Sequence, residues 1–387
     1  MAHFGDFQVG IYLDGMMNGT TPDITTNLVQ LEAQAREVLE PEAMGYIVPS
    51  AGDGVTTRAN REAFDRGRIV PRMLRGAKER DHSTTVLGTK MTAPIMIAPV
   101  GVQTLAHPDG ELATARAAAG LGLTYIHSTA ASHDFEQVAA ASGDGSRWYQ
   151  LYYPTDPDVT ESFLERARAG GYETLVVTLD TTMLGWRPAD LDRGFLPFLA
   201  NVGIANYLSD PAFRSKLDRT PEEDPGSATF LWSGMFPNPG LSLDDLPFLR
   251  ERWDGPIVLK GIVHPDDARA AVDAGVEGIV VSNHGGRQVD GAIGALDALP
   301  TVVEAVGDRT TILFDSGIRT GTDVLKALAL GAEAVLLGRP FLYGLALGGQ
   351  QGVEHVLQCL LAELDLALTL AGYPDIADLG PEALQRW

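Results

Sequence analysis

Three stretches of the sequence repeat one pattern, which is an alanine-rich segment, a glycine, and then a run of β-branched and other apolar residues. The copies are ARAGGYETLVVTLD, AVDAGVEGIVVSNHG and ALALGAEAVLLGRP, and AAAGLGLTYIHST is a looser fourth copy. Glycine commonly ends a helix, and an apolar run without alternation is typical of a strand buried on both faces. The repeat therefore predicts the helix–strand units of a parallel sheet.

Eight strands of this kind can be placed along the chain, with helical segments between them. They are expected near residues 94–99, 124–128, 147–152, 174–180, 256–261, 278–283, 310–315 and 334–338. Eight alternating units favour an α/β protein that closes into a (β/α)8 TIM barrel. An open, doubly wound sheet is disfavoured because no glycine-rich dinucleotide fingerprint follows a strand. The nearest approach, Gly120 with Gly122, precedes a strand instead.

The chain is expected to form a single domain over residues 1–387. Its consecutive parts are an N-terminal extension (1–90), the barrel (91–350) and a C-terminal helix and tail (351–387). A helix is expected around 27–40, in an extension that closes the bottom of the barrel or reaches over its top. After the fourth strand comes a long insertion, 187–245, rich in proline and aspartate. A connection of that length in a compact domain is usually a lid or a subunit contact.

Composition excludes several classes of partner. The chain is 45% hydrophobic and 21% charged, which is typical of a soluble globular protein. Its formal net charge of −22 makes nucleic acid and anionic membrane surfaces unfavourable partners. No apolar run reaches the roughly 20 residues that span a bilayer. The first residues show no targeting signal, so a cytoplasmic location is expected.

Cysteine and histidine usage gives no sign of a metal or redox site. Cys359 is the one cysteine, and it lies in an apolar, helix-like run where a small core residue is expected. The eight histidines are not paired at the spacings that metal sites use, so no metal is predicted.

Polar residues follow the predicted strands at their C-terminal ends, where barrel active sites lie. They are Gly101, Ser128, Gln150, Tyr152, Thr178, Asp180, Lys260, Ser282, His284, Arg287, Asp315, Arg319 and Arg339. Two of these ends, DSGIR and GRP, place glycine beside arginine where a helix begins. Close backbone approach and a bidentate cation suit a phosphate after strands seven and eight. The alternative is a pair of tight turns with surface arginines.

The sixth strand ends in SNHGGRQ, which places His284 three residues before Arg287. A base beside an anionic substrate would need such a pair, although a lone histidine can also be structural. Asp180 ends the fourth strand, and it could orient the imidazole of His284 or cap the next helix. Lys260 could form a Schiff base or place a point charge on a bound cofactor. The pattern alone leaves both roles of Lys260 open.

Taken together, these segments resemble the FMN-dependent α-hydroxy-acid oxidase and dehydrogenase family over nearly the whole chain. The motifs that support the resemblance are PIMIAPVG, HPDGELATARAA, RWYQLYYPTD, TLDTTMLGWR, VLKGI, SNHGGRQ, DSGIRTGTDVLKALALGA and GRP. The resemblance implies FMN as cofactor, and a small 2-hydroxy acid and O2 as the molecules it reacts with. It also implies a homo-oligomer, a tetramer or an octamer.

The resemblance assigns a role to each site residue. On the substrate side, His284 would be the base with Asp180 as its partner, Arg187 and Arg287 would bind the substrate carboxylate, and Tyr46 and Tyr152 would hydrogen-bond the substrate. Near the flavin ring would lie Pro99, Val100, Gly101, Ser128, Gln150 and Thr178, with Lys260 at its N1/O2 edge and Ser282 at the ring or ribityl chain. The ribityl chain and phosphate would be held by Asp315, Gly317, Arg319, Gly338 and Arg339.

Within the family, the sequence is similar to the lactate 2-monooxygenases. The long insertion, the stretches LSDPAFR, PEEDP and GWRPADLD, and Gly101 at a position where simple oxidases commonly have alanine support this. One departure is the turn after Tyr46, which contains Pro49 and Ser50. The similarity implies oxidation of L-lactate by O2 to acetate, CO2 and water. The alternatives are an L-lactate or 2-hydroxy-acid oxidase that releases pyruvate and H2O2, a Schiff-base aldolase that uses Lys260, and a non-catalytic flavin-binding barrel.

Overall fold

Eight parallel strands close into a barrel in the computed structural model, which describes residues 3–386. The strands are β1 (Ile95–Ile97), β2 (Thr124–Ser128), β3 (Arg147–Leu151), β4 (Leu175–Thr178), β5 (Ile257–Ile262), β6 (Gly278–Val281), β7 (Thr311–Phe314) and β8 (Ala334–Leu337). Seven of them lie within the ranges that the sequence predicts, and β5 extends one residue further. The predicted (β/α)8 TIM barrel is therefore confirmed.

Neighbouring strands pair in chain order, and β8 pairs with β1, so the barrel sheet has no free edge. Almost every strand residue is buried, because one face points into the barrel and the other packs on helices. Alternate residues fill the interior as a separate core. Its members include Met96, Ile126, Trp148, Val176, Val258, Val280, Leu313 and Leu336.

A hairpin in the N-terminal extension closes the bottom of the barrel. Its strands, Thr84–Val86 and Thr89–Met91, are antiparallel and place Val86 and Met91 in the same interior core. Trp148, inside the barrel, donates its indole N–H to Thr89 Oγ1 over 2.9 Å. The bottom is thus filled with side chains, which leaves the C-terminal ends of the strands as the open side.

The rest of the extension contains four helices, and it partly covers the top of the barrel. Its helices are α1 (Asp6–Leu13), which continues as a π-helical turn over Asp14–Asn18, α2 (Leu31–Ala35), α3 (Pro41–Ile47) and α4 (Val55–Arg66). The predicted helix around 27–40 is largely wrong, because only the five residues of α2 are helical there. Pro41 holds Glu40 in an extended conformation and starts α3 as a new helix. The extension therefore both closes the bottom and reaches over the top.

The outer layer consists of helices that follow the strands. Those before β4 are α5 (Gly110–Gly120), α6 (Phe135–Ser142) and α7 (Pro157–Ala169). Those around and after β5 are α12 (Leu246–Arg252), α13 (Pro265–Asp273), α14 (Ala295–Val306), α15 (Gly321–Ala329) and α16 (Arg339–Ala371). Cys359 lies buried in α16 among core residues, as the sequence predicts. Among the described residues, none of the helices is both long and apolar enough to cross a membrane.

The insertion between β4 and β5 is folded. It contains α8 (Pro188–Arg193), α9 (Ala205–Leu208), α10 (Pro211–Arg214) and α11 (Pro225–Met235), with a short 3-10 turn at Pro197–Ala200. Its ring stack centres on Trp232, with centroid distances of 5.0 Å to Phe198 and 5.3 Å to Phe236. This aromatic cluster gives the insertion a core of its own over the mouth of the barrel.

Candidate active site

An open cavity lies at the C-terminal ends of the strands, with about 1130 Å³ of empty space when its mouth is included. Residues from the extension, from most of the strand ends and from the insertion line it. Of the residues singled out from the sequence, those that line it are Tyr46, Pro99, Val100, Gly101, Tyr152, Thr178, Arg187, Lys260, His284, Arg287, Asp315, Gly317, Arg319, Gly338 and Arg339. The other four are Ser128, Gln150, Asp180 and Ser282. Asp180 contacts His284, Ser282 contacts Lys260, and Ser128 and Gln150 contact each other at the ends of β2 and β3.

His284 and Asp180 form a hydrogen-bonded pair. Nδ1 of His284 lies 2.8 Å from Oδ1 of Asp180, and the hydroxyl of Thr181 lies 3.1 Å from each of these two atoms. Because Asp180 occupies Nδ1, Nε2 is the ring nitrogen left for a substrate. The backbone of His284 is left-handed, with φ of 57°, and the two glycines that follow it, Gly285 and Gly286, also have positive φ.

The charges around this pair set its protonation. Burial lowers the pKa of His284, helped by Lys260 and Arg187, although Asp180 acts in the opposite direction. Burial also disfavours the charge of Asp180, but His284 and Lys260 outweigh it and hold the pKa of the carboxyl below its ordinary value. At neutral pH the arrangement is therefore a neutral imidazole beside a carboxylate, as a general base requires.

Two arginines approach the cavity near His284. Arg187 is 4% exposed and donates to Oε1 of Gln288 over 2.7 Å and to the backbone carbonyl of Arg287 over 3.1 Å. The guanidinium of Arg287 lies 5.1 Å from the ring centre of Tyr46. Burial and the nearby Arg187 and Arg339 lower the pKa of Arg287 to about 9. Such crowded cations are stabilised by an anion between them.

A second group of cations lies at the ends of β7 and β8. Arg339 donates to the backbone carbonyls of Gly285 and Pro49, both over 3.0 Å, and Arg319 donates to that of Ile318 over 2.8 Å. Burial and the proximity of Arg339 lower the pKa of Arg319 to about 10. Within residues 3–386, neither side chain is within ion-pair distance of a carboxylate. Both lie in the cavity, so the alternative of surface arginines in tight turns is wrong.

Lys260 is held as a cation. Its ammonium lies 3.0 Å from Oδ2 of Asp315 and donates to the hydroxyl of Ser282 over 3.0 Å. Burial opposes its charge, but Asp315 and Asp180 outweigh burial and raise the pKa of Lys260. A Schiff-base lysine needs a lowered pKa so that the free amine is available at neutral pH. The site therefore disfavours the aldolase alternative and favours the fixed point charge.

Further residues also line the cavity, and four of them that sequence reasoning missed come from the segments after β4. They are Thr181 and Leu184, just after β4, and Phe198 and Phe236 in the insertion. The position of Thr181 directly after Asp180 was a usable signal. Nothing in the local pattern distinguishes Phe198 or Phe236 from other apolar residues of the insertion, because their place depends on how that segment folds back.

Comparison with known proteins places this geometry in a family. The sequence profile described as FMN-dependent dehydrogenase matches residues 35–386. An FMN-dependent alpha-hydroxy acid dehydrogenase of Penicillium citrinum is 48% identical over 387 residues, which is 99% of this chain and 96% of that one. The chain belongs to the FMN-dependent dehydrogenase family.

Other members of the FMN-dependent dehydrogenase family agree in sequence and in structure. An L-lactate oxidase of Lysinibacillus sphaericus is 43% identical over 352 residues and covers 90% of each chain. A solved structure of mandelate oxidase has a TM-score of 0.82 and 37% identity, and covers 94% of this chain and 99% of that one. The protein is therefore an FMN-dependent oxidoreductase that acts on 2-hydroxy acids.

The residues present fit FMN as the cofactor of this family. The side-chain amide nitrogen of Gln150 is buried and has no hydrogen-bond partner, although its carbonyl oxygen accepts from Ser128 over 2.9 Å. An unpaired buried donor of this kind is stabilised by an acceptor from a ligand. At Gly338 an added Cβ would meet no atom within 4 Å, so there is space beside Arg339. A polar floor and an open, cationic end match a flavin ring and its phosphate.

Proposed function

We propose that the protein is a lactate 2-monooxygenase, which converts L-lactate and O2 into acetate, CO2 and water. The observation that supports this best is the aromatic cover that the insertion contributes to the cavity. Phe198 lies 6.2 Å from Tyr46 and Phe236 lies 5.4 Å from Tyr152, measured between ring centres. Rings from the insertion thus meet one ring from the N-terminal extension and one from the barrel over the site, and such a cover would keep a small product inside.

Arg187 and Arg287 bind the substrate carboxylate in this proposal. Both line the cavity close to His284, and their mutual repulsion is relieved when an anion lies between them. Tyr46 and Tyr152 hydrogen-bond the substrate. Burial raises the pKa of Tyr152, so its hydroxyl keeps its proton and can donate. Two charged contacts and two hydroxyl groups fix one orientation of a 2-hydroxy acid.

His284 is the catalytic base. Its Nε2 takes a proton from the substrate, and Asp180 stabilises the imidazolium that forms, since the carboxylate is ionised and 2.8 Å from Nδ1. When bound, FMN supplies the acceptor for the two electrons of the substrate and passes them to O2. Neutral His284 and charged Asp180 are the protonation states that this role needs.

The remaining site residues hold the cofactor. Lys260, fixed by Asp315 and Ser282, would place a positive charge at the N1/O2 edge of the ring and stabilise the negative charge of the reduced flavin. Pro99, Val100, Gly101, Ser128, Gln150 and Thr178 would hold the ring. Asp315, Gly317, Arg319, Gly338 and Arg339 would hold the ribityl chain and phosphate.

Oxidation of lactate by O2 gives pyruvate and H2O2, and the fate of these two products separates the candidate functions. If both stay under the cover, H2O2 decarboxylates pyruvate to acetate, CO2 and water. If they leave, the protein is an L-lactate or 2-hydroxy-acid oxidase. This second candidate is favoured by the L-lactate oxidase of Lysinibacillus sphaericus, which is 43% identical.

A product assay with and without catalase tests the proposal. Purified protein is supplied with L-lactate in air, and acetate, pyruvate and oxygen uptake are measured. We expect one acetate per O2, and the same yield with catalase present, because the decarboxylation takes place inside the site. Pyruvate as the main product in the presence of catalase would contradict the monooxygenase and support the oxidase. Anaerobic incubation is the control, in which L-lactate bleaches the flavin and yields pyruvate.

A further inference from the structure

Asn206 in α9 of the insertion contacts the barrel at the end of β2. Its side chain is completely buried. The amide nitrogen lies 3.2 Å from each of the backbone carbonyl oxygens of Ser128 and Thr129, and 3.3 Å from Nε2 of His127. One side chain of the insertion therefore hydrogen-bonds two consecutive peptide groups at the mouth of the barrel.

His127 is suited to accept from this amide. It is fully buried, and burial lowers its pKa to about 4, so the ring is neutral at physiological pH. A neutral imidazole has one nitrogen with a free lone pair. The three atoms around the amide nitrogen of Asn206 are all acceptors. A carboxamide has N–H groups to donate to them, whereas an ionised aspartate in its place has none.

The backbone on either side of Asn206 also belongs to the interface between the insertion and the barrel. Ala205 donates its N–H to the carbonyl of Ala131 over 3.1 Å, and Val102 donates to that of Ala130 over 2.9 Å. Gly203 has φ of +84°, and a Cβ there would collide with Val102. The insertion thus contacts both loops, through Ala205 at the loop after β2 and through Gly203 at Val102 in the loop after β1.

The loop that Asn206 holds also orients Gln150. Ser128 donates its hydroxyl to the amide oxygen of Gln150 over 2.9 Å, and accepts from the N–H of Ala130 over 3.1 Å. This contact turns the unpartnered amide nitrogen of Gln150 away from Ser128 and leaves it free for a ligand. The direction of that donor depends on where Ser128 lies, and the position of Ser128 depends on Asn206.

We infer that Asn206 is a positioning residue for the cofactor site, which acts on FMN through Ser128 and Gln150. The inference rests on the proposed contacts of Ser128 and Gln150 with the flavin ring. It assigns the insertion a second task beside covering the substrate, which is to keep the flavin-facing donors of the barrel in place.

Titration of the apoprotein with FMN tests this inference together with the reduction potential of the bound flavin. In Asn206→Leu we expect the FMN dissociation constant to rise about tenfold, as expected for loss of two hydrogen bonds to one loop. The reduction potential should fall, because a displaced Gln150 donates less well to the reduced ring. Combining Asn206→Leu with Ser128→Ala should change affinity by less than the product of the single effects, since both act through one contact.

Thr229→Val is the matched control. It removes a hydrogen bond of 2.7 Å to Asn201 that lies wholly within the insertion, and should leave FMN affinity and potential unchanged. If Asn206→Leu does not fold, Asn206→Ser, which leaves room for a bridging water, should show the same changes at about threefold. An Asn206 variant with lower thermal stability but normal affinity and potential would overturn the inference alone. Failure of the unaltered protein to bind FMN would overturn the proposed function as well.

Discussion

His284 lies 2.8 Å from Asp180 although 104 residues separate them in the chain. They follow β6 and β4, and β5 runs between those two strands. At Gly261 in β5, φ is +111° and an added Cβ would lie 2.8 Å from the carboxyl carbon of Asp180. The pair can therefore form only if the strand between its members has no side chain at that point.

Replacing His284 by glutamine should remove the base and keep the cofactor. We expect His284→Gln to stay yellow, while flavin reduction by L-lactate slows by about 10²- to 10⁴-fold. Stopped-flow absorbance measures the reduction rate, and the spectrum measures bound FMN. His264→Gln is the control, because His264 is 61% exposed in its side chain, and its rate should not change. Unchanged turnover in His284→Gln would remove the assignment of the base.

The pH dependence of kcat/KM on the acid side should reflect the protonation of His284 beside Asp180. Protonated His284 cannot act as a base, so kcat/KM should be level at neutral pH and fall at pH values below the pKa of His284, which burial places under its ordinary 6.5. Asp180 raises the pKa of His284, and Asp180→Asn removes that influence. We expect the acid limb of the variant to move to lower pH while its plateau falls. A lower plateau with an unmoved limb would mean that Asp180 only orients the ring.

Loss of Arg187 should weaken substrate binding. Charge-assisted hydrogen bonds contribute about 1.5–3 kcal/mol, so Arg187→Leu should raise KM for L-lactate by roughly 10- to 100-fold. Binding of oxalate to the oxidised protein should weaken in parallel, which separates binding from chemistry. Arg193→Leu is the control, because Arg193 ends helix α8, which directly follows Arg187, and donates to the carbonyl of Ala189 instead. Equal effects of the two changes would argue against a specific carboxylate contact.

Adding a methyl group at Gly101 should loosen the cover. A Cβ at this position would collide with the carbonyl oxygen of Ala130, so the two loops must move apart. We expect Gly101→Ala to lower the free energy of unfolding by about 1–3 kcal/mol and to raise the share of turnover that ends in free H2O2. Thermal unfolding and the catalase assay measure the two effects. Gly120→Ala serves as control, because a Cβ there meets no atom within 4 Å. If Gly101→Ala leaves the ratio of acetate to free H2O2 unchanged, the loop at Gly101 has no part in retaining the products.

The strands and the residues at their ends could be predicted, because a strand buried on both faces shows an uninterrupted apolar run. Asp180, His284 and Lys260 follow or end such runs, so chain position alone placed them at one end of the barrel. The contacts that the insertion makes when it folds back onto the barrel could not be predicted. Phe198 and Asn206 lie in an insertion of short helices without periodicity. Phe198 contacts Tyr46 of the N-terminal extension, and Asn206 contacts Ser128, 78 residues earlier in the chain.

The single-domain division, the homo-oligomer and the cytoplasmic location remain predictions. The helix expected around 27–40 forms only over Leu31–Ala35, and Pro41 begins a separate helix, α3, after the extended Glu40.

The left-handed backbone at His284 limits which amino acids can occupy position 284. Glycine, asparagine and aspartate adopt such a conformation at little cost, whereas β-branched side chains do not. A library randomised at this codon and selected only for a folded, coloured protein should therefore return the small and short polar residues and exclude valine and isoleucine. A second selection, for growth on the substrate, should then leave only the variant with histidine at position 284.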